Sequence, residues 1–258
     1  MNPNRPLPQD PIINLFFENI PVLSGASDEV LEPVLETIRA IDHIMDRDIY
    51  VTDFYERRFR FVSDGHLFLC GRSPNDVLEQ GYQFFAQAIH PDDLRMVADI
   101  HHITFEYFHN PDINFRKIAY LAFNYRLMHG KESRMICHKV LPLMIENKPQ
   151  IALCKITESV RKDTGNLTVY YKENPYCDQY SFTKRKWHLQ RIIELAPQEK
   201  KILIAARQGK STKETAKILC ISEQSTRNLR HELFQKLDVN TIEQAIIFSK
   251  NQQISLTF

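Results

Sequence analysis

Arg227, Asn228 and His231 fall within about one helical turn of each other in the stretch ISEQSTRNLRHELFQKL, residues 221–237. An arginine can clasp guanine with two hydrogen bonds, and an asparagine can do the same with adenine. In the same stretch Thr226, Leu229, Leu233 and Leu237 recur at spacings of three and four, which makes one narrow apolar stripe on a helix. That stripe turns Arg227, Asn228 and His231 outward together, with Arg230 near the edge. Charge agrees with the direction. From Lys184 onward there are 14 Lys and Arg against 7 Asp and Glu, whereas the rest of the chain carries 19 against 25. A basic tail on an acidic body points to a tail that meets a polyanion. A solvated helix in any bundle would show the same face, so the elements around it must decide.

Those elements are punctuated locally. Pro197 suits a first helical position and Glu199 the positive helix start; Ile202, Leu203 and Ala206 form an apolar face and Gly209 a stop. Ser211 and Glu214 form a capping box for a second helix, with Thr215, Ala216 and Leu219 inside. Only Cys220 and Ile221 separate it from a third start at Ser222, as a helix-turn-helix requires. Thr241 and Gln244 open a fourth helix that runs through Ala245, Ile246 and Ile247.

In these residues the chain resembles the DNA-binding domain of LuxR-type transcription regulators. The carriers are Leu195, Pro197, Glu199, Ile202 and Leu203; then Gly209, Ser211, Lys213, Glu214, Ala216, Leu219, Ile221 and Ser222; then Leu233, Lys236 and Leu237, all in one frame. The resemblance implies that the third helix enters the major groove of double-stranded DNA with Arg227, Asn228 and His231 toward bases. Lys213, Ser222, Ser225, Arg230 and Lys236 are then placed for phosphates, through charge, hydroxyls or helix amides. Four residues depart from the family pattern: Ala196 replaces the usual Thr cap, at a cost of about 1 kcal/mol, Thr226 replaces Val, Leu229 replaces His, and Arg207 replaces a small Ala.

Residues 47–160 read as a second, α+β unit. IYVTDF and RFRFVS are β-rich, Ser73-Pro74 starts a short helix, and Pro91-Asp92-Asp93 starts a longer one whose carboxylates suit the helix dipole. AYLAFNYRLMHG, SRMICHKVLPLMI and IALCKITE read as an antiparallel run with a turn at Gly130. GRSPNDVL, HPDDL, YRLMHGKES and the closing KITE resemble a PAS domain, with Lys155 where that family has Asp. The fold class expected is therefore an α+β PAS-like sensor, an antiparallel sheet with flanking helices, followed by an all-α four-helix helix-turn-helix domain over 187–258. Residues 161–186 read as a structured connector with a β-hairpin formed by LTVYY and QYSF. Within the N-terminal segment, 1–46, Leu31, Val34, Ile38, Ile41 and Met45 have helical spacing, suited either to a seam with a second copy or to packing on the sensor sheet.

Phe61, Phe68, Phe84, Phe85, Phe105, Phe123 and Tyr125 are available to line a ligand cleft or to fill a core. No cofactor is evident; haem on His101 or His102 is the one option that position in a PAS-like helix raises. The five cysteines are scattered without a C-x-x-C pair, so neither a zinc site nor a disulfide frame is expected, and no catalytic motif stands out. With no signal-like N-terminus and no run of apolar residues of membrane length, the expectation is a soluble cytoplasmic protein. The function expected is a one-component regulator, a homodimer that binds DNA and takes a small molecule in its PAS-like domain. The rival class is a receptor or enzyme whose C-terminal helices serve only as a protein-interaction module.

Overall fold

The computed structural model describes residues 11–18, 20, 25–44, 47–114, 117–146, 148–252 and 254. Eight antiparallel strands form one sheet: β1 (Ile49–Asp53), β2 (Arg58–Val62), β3 (Ile118–His129), β4 (Glu132–Ile145), β5 (Lys148–Glu158), β6 (Gly165–Tyr171), β7 (Tyr176–Ser181) and β8 (Lys186–Arg191). Their order across the sheet is β2-β1-β5-β4-β3-β6-β7-β8. LTVYY pairs mainly with the residues just ahead of QYSF, Thr168 with Gln179, Val169 with Asp178 and Tyr170 with Cys177. They do more than form a hairpin, however. β6 adds to the edge of β3, and β8 adds to β7, so the connector continues the sheet of the N-terminal unit.

Alternation along β3 sorts the two faces. Leu121, Phe123, Tyr125 and Leu127 point into the main core, while Tyr120 and Ala122 face the other side. Gly130, at φ 65°, makes the tight turn into β4, where His129 pairs with Glu132. The inner face is covered by α1 (Pro11–Phe17), α3 (His66–Leu69), α4 (Pro74–Gln80), α5 (Gln83–Ala88) and α6 (Pro91–Phe108). Ser73 and Asp76 cap α4 reciprocally. Asp93, expected only to complement a helix dipole, does more: it is buried and clamps Arg126 of β3 through both carboxylate oxygens, at 2.6 and 2.9 Å. Burial opposes its charge, but the Arg126 hydrogen bonds override this and hold Asp93 below the usual carboxylate range. The pair fixes α6 against the sheet.

α2 (Asp28–Asp42) lies on the outer face near the other edge. Leu31, Leu35 and Ile38 pack there against Ile49, Val51, Ile145 and Ile151, so this helix settles on the sensor sheet. Leu35 takes the inner place, and Val34 only flanks it; Met45 lies outside the described residues. Each buried leucine or isoleucine contributes up to about 1.5–3 kcal/mol.

The C-terminal helices are α7 (Pro197–Arg207), α8 (Thr212–Leu219), α9 (Glu223–Leu237) and α10 (Ile242–Asn251). Leu195, Ile202, Leu203, Leu233, Leu237, Val239, Ala245 and Phe248 form their shared core. Ala205, not Ala206, completes the inner face of α7. No helix among the described residues is long and apolar enough to cross a membrane.

Candidate nucleic-acid interface and ligand cavity

The link between α8 and α9 is short because Cys220 adopts a left-handed conformation, φ 55°, that turns the chain back at once. Ile221 N then donates to Ala216 O, and Ser222 Oγ caps α9 by accepting from Ser225 N at 3.0 Å. Thr226, Leu233 and Leu237 are buried and Leu229 half-buried, so the stripe faces the domain core. Arg227, Asn228 and His231 are all exposed on the opposite side.

Their ties are local and weak. Arg227 reaches Glu223 at 3.3 Å, Gln224 donates to Asn228 Oδ1, and His231 meets Gln235. A surface pair of this kind is worth about 0.3–0.5 kcal/mol, so a stronger acceptor can replace it. Among the phosphate candidates, Lys213, Ser222 and Ser225 are exposed. Arg230 and Lys236 are engaged within the domain. Arg230 donates to Thr212 Oγ1 at 2.9 Å and lies over the Phe234 ring, bracing α8 on α9. Lys236 pairs with Glu199 at 2.7 Å. The same Glu199 oxygen accepts from Ala196 N at 2.6 Å, the N3 half of a capping box, while the half that a Thr side chain would supply to the first-turn N–H groups is missing. No sequence spacing signals that brace, because its partners are far apart in the chain.

Between the inner sheet face and α5–α6 lies a cavity whose empty volume, mouth included, is about 660 Å³. Phe85, Phe105, Phe123 and Tyr125 line it as the sequence allows; Phe16, Tyr50, Phe54, Tyr82 and Phe108 join them unforeseen. Phe68 and Phe84 sit behind the wall, edge to face at 5.1 Å. Phe61 is on the opposite side of the sheet, under α2, because a bulge in the β1–β2 pairing between Thr52 and Val51 reverses the alternation after Phe59.

Among the described residues the lining contains no Asp, Glu, Lys or Arg. Its polar groups are few and specific. His138 is held between two tyrosine hydroxyls, Nε2 at 2.9 Å from Tyr50 and Nδ1 at 3.4 Å from Tyr125. Burial pushes its pKa down to about 3. Thr52 and Tyr82 share a hydrogen bond at 2.7 Å. His101 is also pushed to about 3, by burial and by His102 beside it. Among the described residues neither nitrogen of His101 meets full hydrogen-bonding geometry, although the Phe16 backbone stands close enough to favour the protonated ring, and Thr104 Oγ1 has no partner. Phe16, Phe17, Phe54 and Tyr82 surround the His101 ring with centroids 4.8–6.0 Å away, which gives it the place of one more ring in an aromatic cluster. His101, which with His102 is the position the sequence offers for an axial haem ligand, is thus ringed by aromatic side chains. No group of three or more metal-ligating side chains occurs among the described residues.

The helices around Cys220 thus define a helix-turn-helix unit with Arg227, Asn228 and His231 exposed on one side of its second helix. Residues 194–249 match the model for bacterial regulatory proteins, luxR family. They are a LuxR-type DNA-binding domain, which makes the chain a DNA-binding regulator. Among curated proteins none matches. Solved structures that are similar include a Vibrio cholerae VqmA dimer described as a LuxR-type receptor, at 14% identity and TM-score 0.32, covering 84% of this chain and 87% of that one. A phage VqmA–DPO complex is similar at 12% identity and TM-score 0.33, covering 86% and 89%. A Vibrio cholera VqmA–ligand–DNA complex is similar at 12% identity and TM-score 0.30, with the same coverage.

Proposed function

We propose that this chain is a one-component transcription regulator of the cytoplasm, acting as a homodimer by binding rather than by turnover. Its input is a PAS-like sensor over 47–160, preceded by segment 1–46 and extended by connector 161–186 and by β8, which moves the start of the output domain from the expected 187 to the residues after Arg191. The observation that carries the reading is the α9 face: Arg227, Asn228 and His231 exposed together on a LuxR-type helix that follows a capped turn. Arg227, Asn228 and His231 read bases; Lys213, Ser222 and Ser225 hold phosphates, with Arg230 and Lys236 bracing the helix and adding positive field. The cavity supports the input half. Aromatic walls, no charged side chain among the described lining residues and the unpartnered Thr104 hydroxyl suit a small uncharged ligand that carries a hydrogen-bonding group.

Two substitutions separate base reading from phosphate grip. Arg227→Ala should cost about 1–3 kcal/mol on a selected operator and relax preference at one base pair. Lys213→Ala should weaken operator and scrambled duplex alike and lower the salt slope by about one. Binding isotherms against salt for both duplexes check this. Full discrimination by Arg227→Ala would remove Arg227 from the reading face.

A further inference from the structure

Helix α10 satisfies only part of its own carboxyl end, Gln252 N donating to Phe248 O and Ile254 N to Ser249 O. The last carbonyls of a helix lack partners within it and lie at the negative end of its dipole. Here the sensor sheet provides them: Lys139 Nζ donates to Lys250 O at 2.9 Å, and the Tyr120 hydroxyl donates to Asn251 O at 3.2 Å. The Asn251 side chain is buried and bonded at both ends, accepting from Thr157 Oγ1 at 2.9 Å and donating to Glu158 O at 2.8 Å. Tyr170 donates to Gln252. Arg161 lies over Phe248 at 5.2 Å, and Lys162 pairs with Asp238 at 3.0 Å.

These sheet residues come from β3, β4, β5 and β6 on the face opposite the cavity. Next to them in the chain, Leu121, His138 and Val140 line the cavity. The two sites are the two sides of the same pleated strands. Cys137, only 1% exposed, lies in the outer-face cluster with Ala122, Tyr170 and Cys177.

We propose that the carboxyl end of α10 is a latch that docks the DNA-binding helices on the outer face of the sensor sheet and restrains their binding to DNA. The reading face stays uncovered, so the latch acts by position. It holds the basic tail against a body with 25 acidic and 19 basic residues, whose field opposes approach to phosphates. The restraint rests on the DNA-binding reading above; the docking rests on the contacts alone.

The test uses the full chain carrying Tyr120→Phe, Lys139→Met and Asn251→Ala together. Two quantities are measured: the rate of thiol labelling at Cys137, located by mass spectrometry, and affinity for a mixed-sequence DNA duplex at low salt. Labelling should accelerate about tenfold or more, the scale of several lost hydrogen bonds, and duplex binding should tighten about threefold or more. An unchanged labelling rate overturns the latch. Faster labelling with equal or weaker duplex binding overturns the restraint and leaves a structural contact. If neither wild type nor variant binds any duplex, the DNA-binding reading falls and the restraint with it, while the labelling rate still decides the docking. Should the triple variant lose its helical circular dichroism, Thr157→Val alone must still speed labelling about threefold, and failure to do so overturns the latch.

Discussion

Leu233→Ala should unfold the C-terminal helices or cost them about 2–5 kcal/mol. Leu233 is fully buried, in a cluster with Leu203, Leu237, Ala245 and Phe248 drawn from α7, α9 and α10. Removing its isopropyl group leaves a void where three helices meet, and a domain of this size has little reserve. The neighbouring Glu232 is exposed, so Glu232→Ala should stay within about 0.5 kcal/mol. Leu229 is only half-buried, and Leu229→His, which restores the residue usual in LuxR-type domains, should keep the fold. The lone tryptophan, Trp187, is on β8, so the C-terminal helices are best followed by amide exchange in α9 and by circular dichroism. Equal exchange protection in wild type and Leu233→Ala would mean that the stripe does not carry the domain.

That stripe was legible because everything that specifies it is local. Ser211 with Glu214, Ser222 with Ser225, and Thr241 with Gln244 are caps made within three residues, and all three form. The antiparallel run of β3, β4 and β5 was equally readable, since alternation and Gly130 fix it within the hairpin. What could not be read depends on partners distant in the chain. Arg126 and Asp93 announce themselves as a generic charge and a helix-start acid, yet their pairing decides where α6 sits. Phe16 reaches the cavity from a short helix near the start of the chain, and nothing periodic points there. The bulge that sends Phe61 to the outer face has no signature in RFRFV, which alternates without interruption.

The same distance dependence explains the candidate site. Type and spacing were enough to nominate Arg227, Asn228 and His231, because exposure on one helix follows from the buried stripe. They could not show that Lys236 is committed to Glu199 or Arg230 to Thr212, since both contacts require the packing angle of α9 against α7 and α8. For the cavity, the aromatic residues were countable, but its polar character comes from His101 and His138. Of the ten histidines the sequence nominates His101, with His102, only as a haem ligand, and nothing in it points to His138. Burial distinguishes them.

That burial makes the sensor acid-sensitive in a defined window. Both His101 and His138 are pushed down to about 3, each chiefly by burial, whereas an unfolded chain protonates them near 6.5. The folded form therefore favours the neutral rings. Their contribution is complete above about pH 6.5 and is lost as pH falls from there toward 3, because the unfolded state takes up protons first. At about pH 5 the loss is about 2 kcal/mol per histidine, or roughly 4 kcal/mol for both. His129, also lowered by burial, adds in the same direction. Carboxylates held low, such as Asp93, act only below about pH 4, so the interval from about pH 7 to 5 isolates the histidines. Trp187 packs against Tyr107 and Tyr180 at 4.6 and 5.2 Å, and its fluorescence reports unfolding of the sensor. Urea midpoints should fall steeply across that interval. His138→Gln, which keeps a donor and an acceptor for Tyr50 and Tyr125, should halve the fall, and a wild-type midpoint that does not move with pH would show that neither ring is held neutral by the fold.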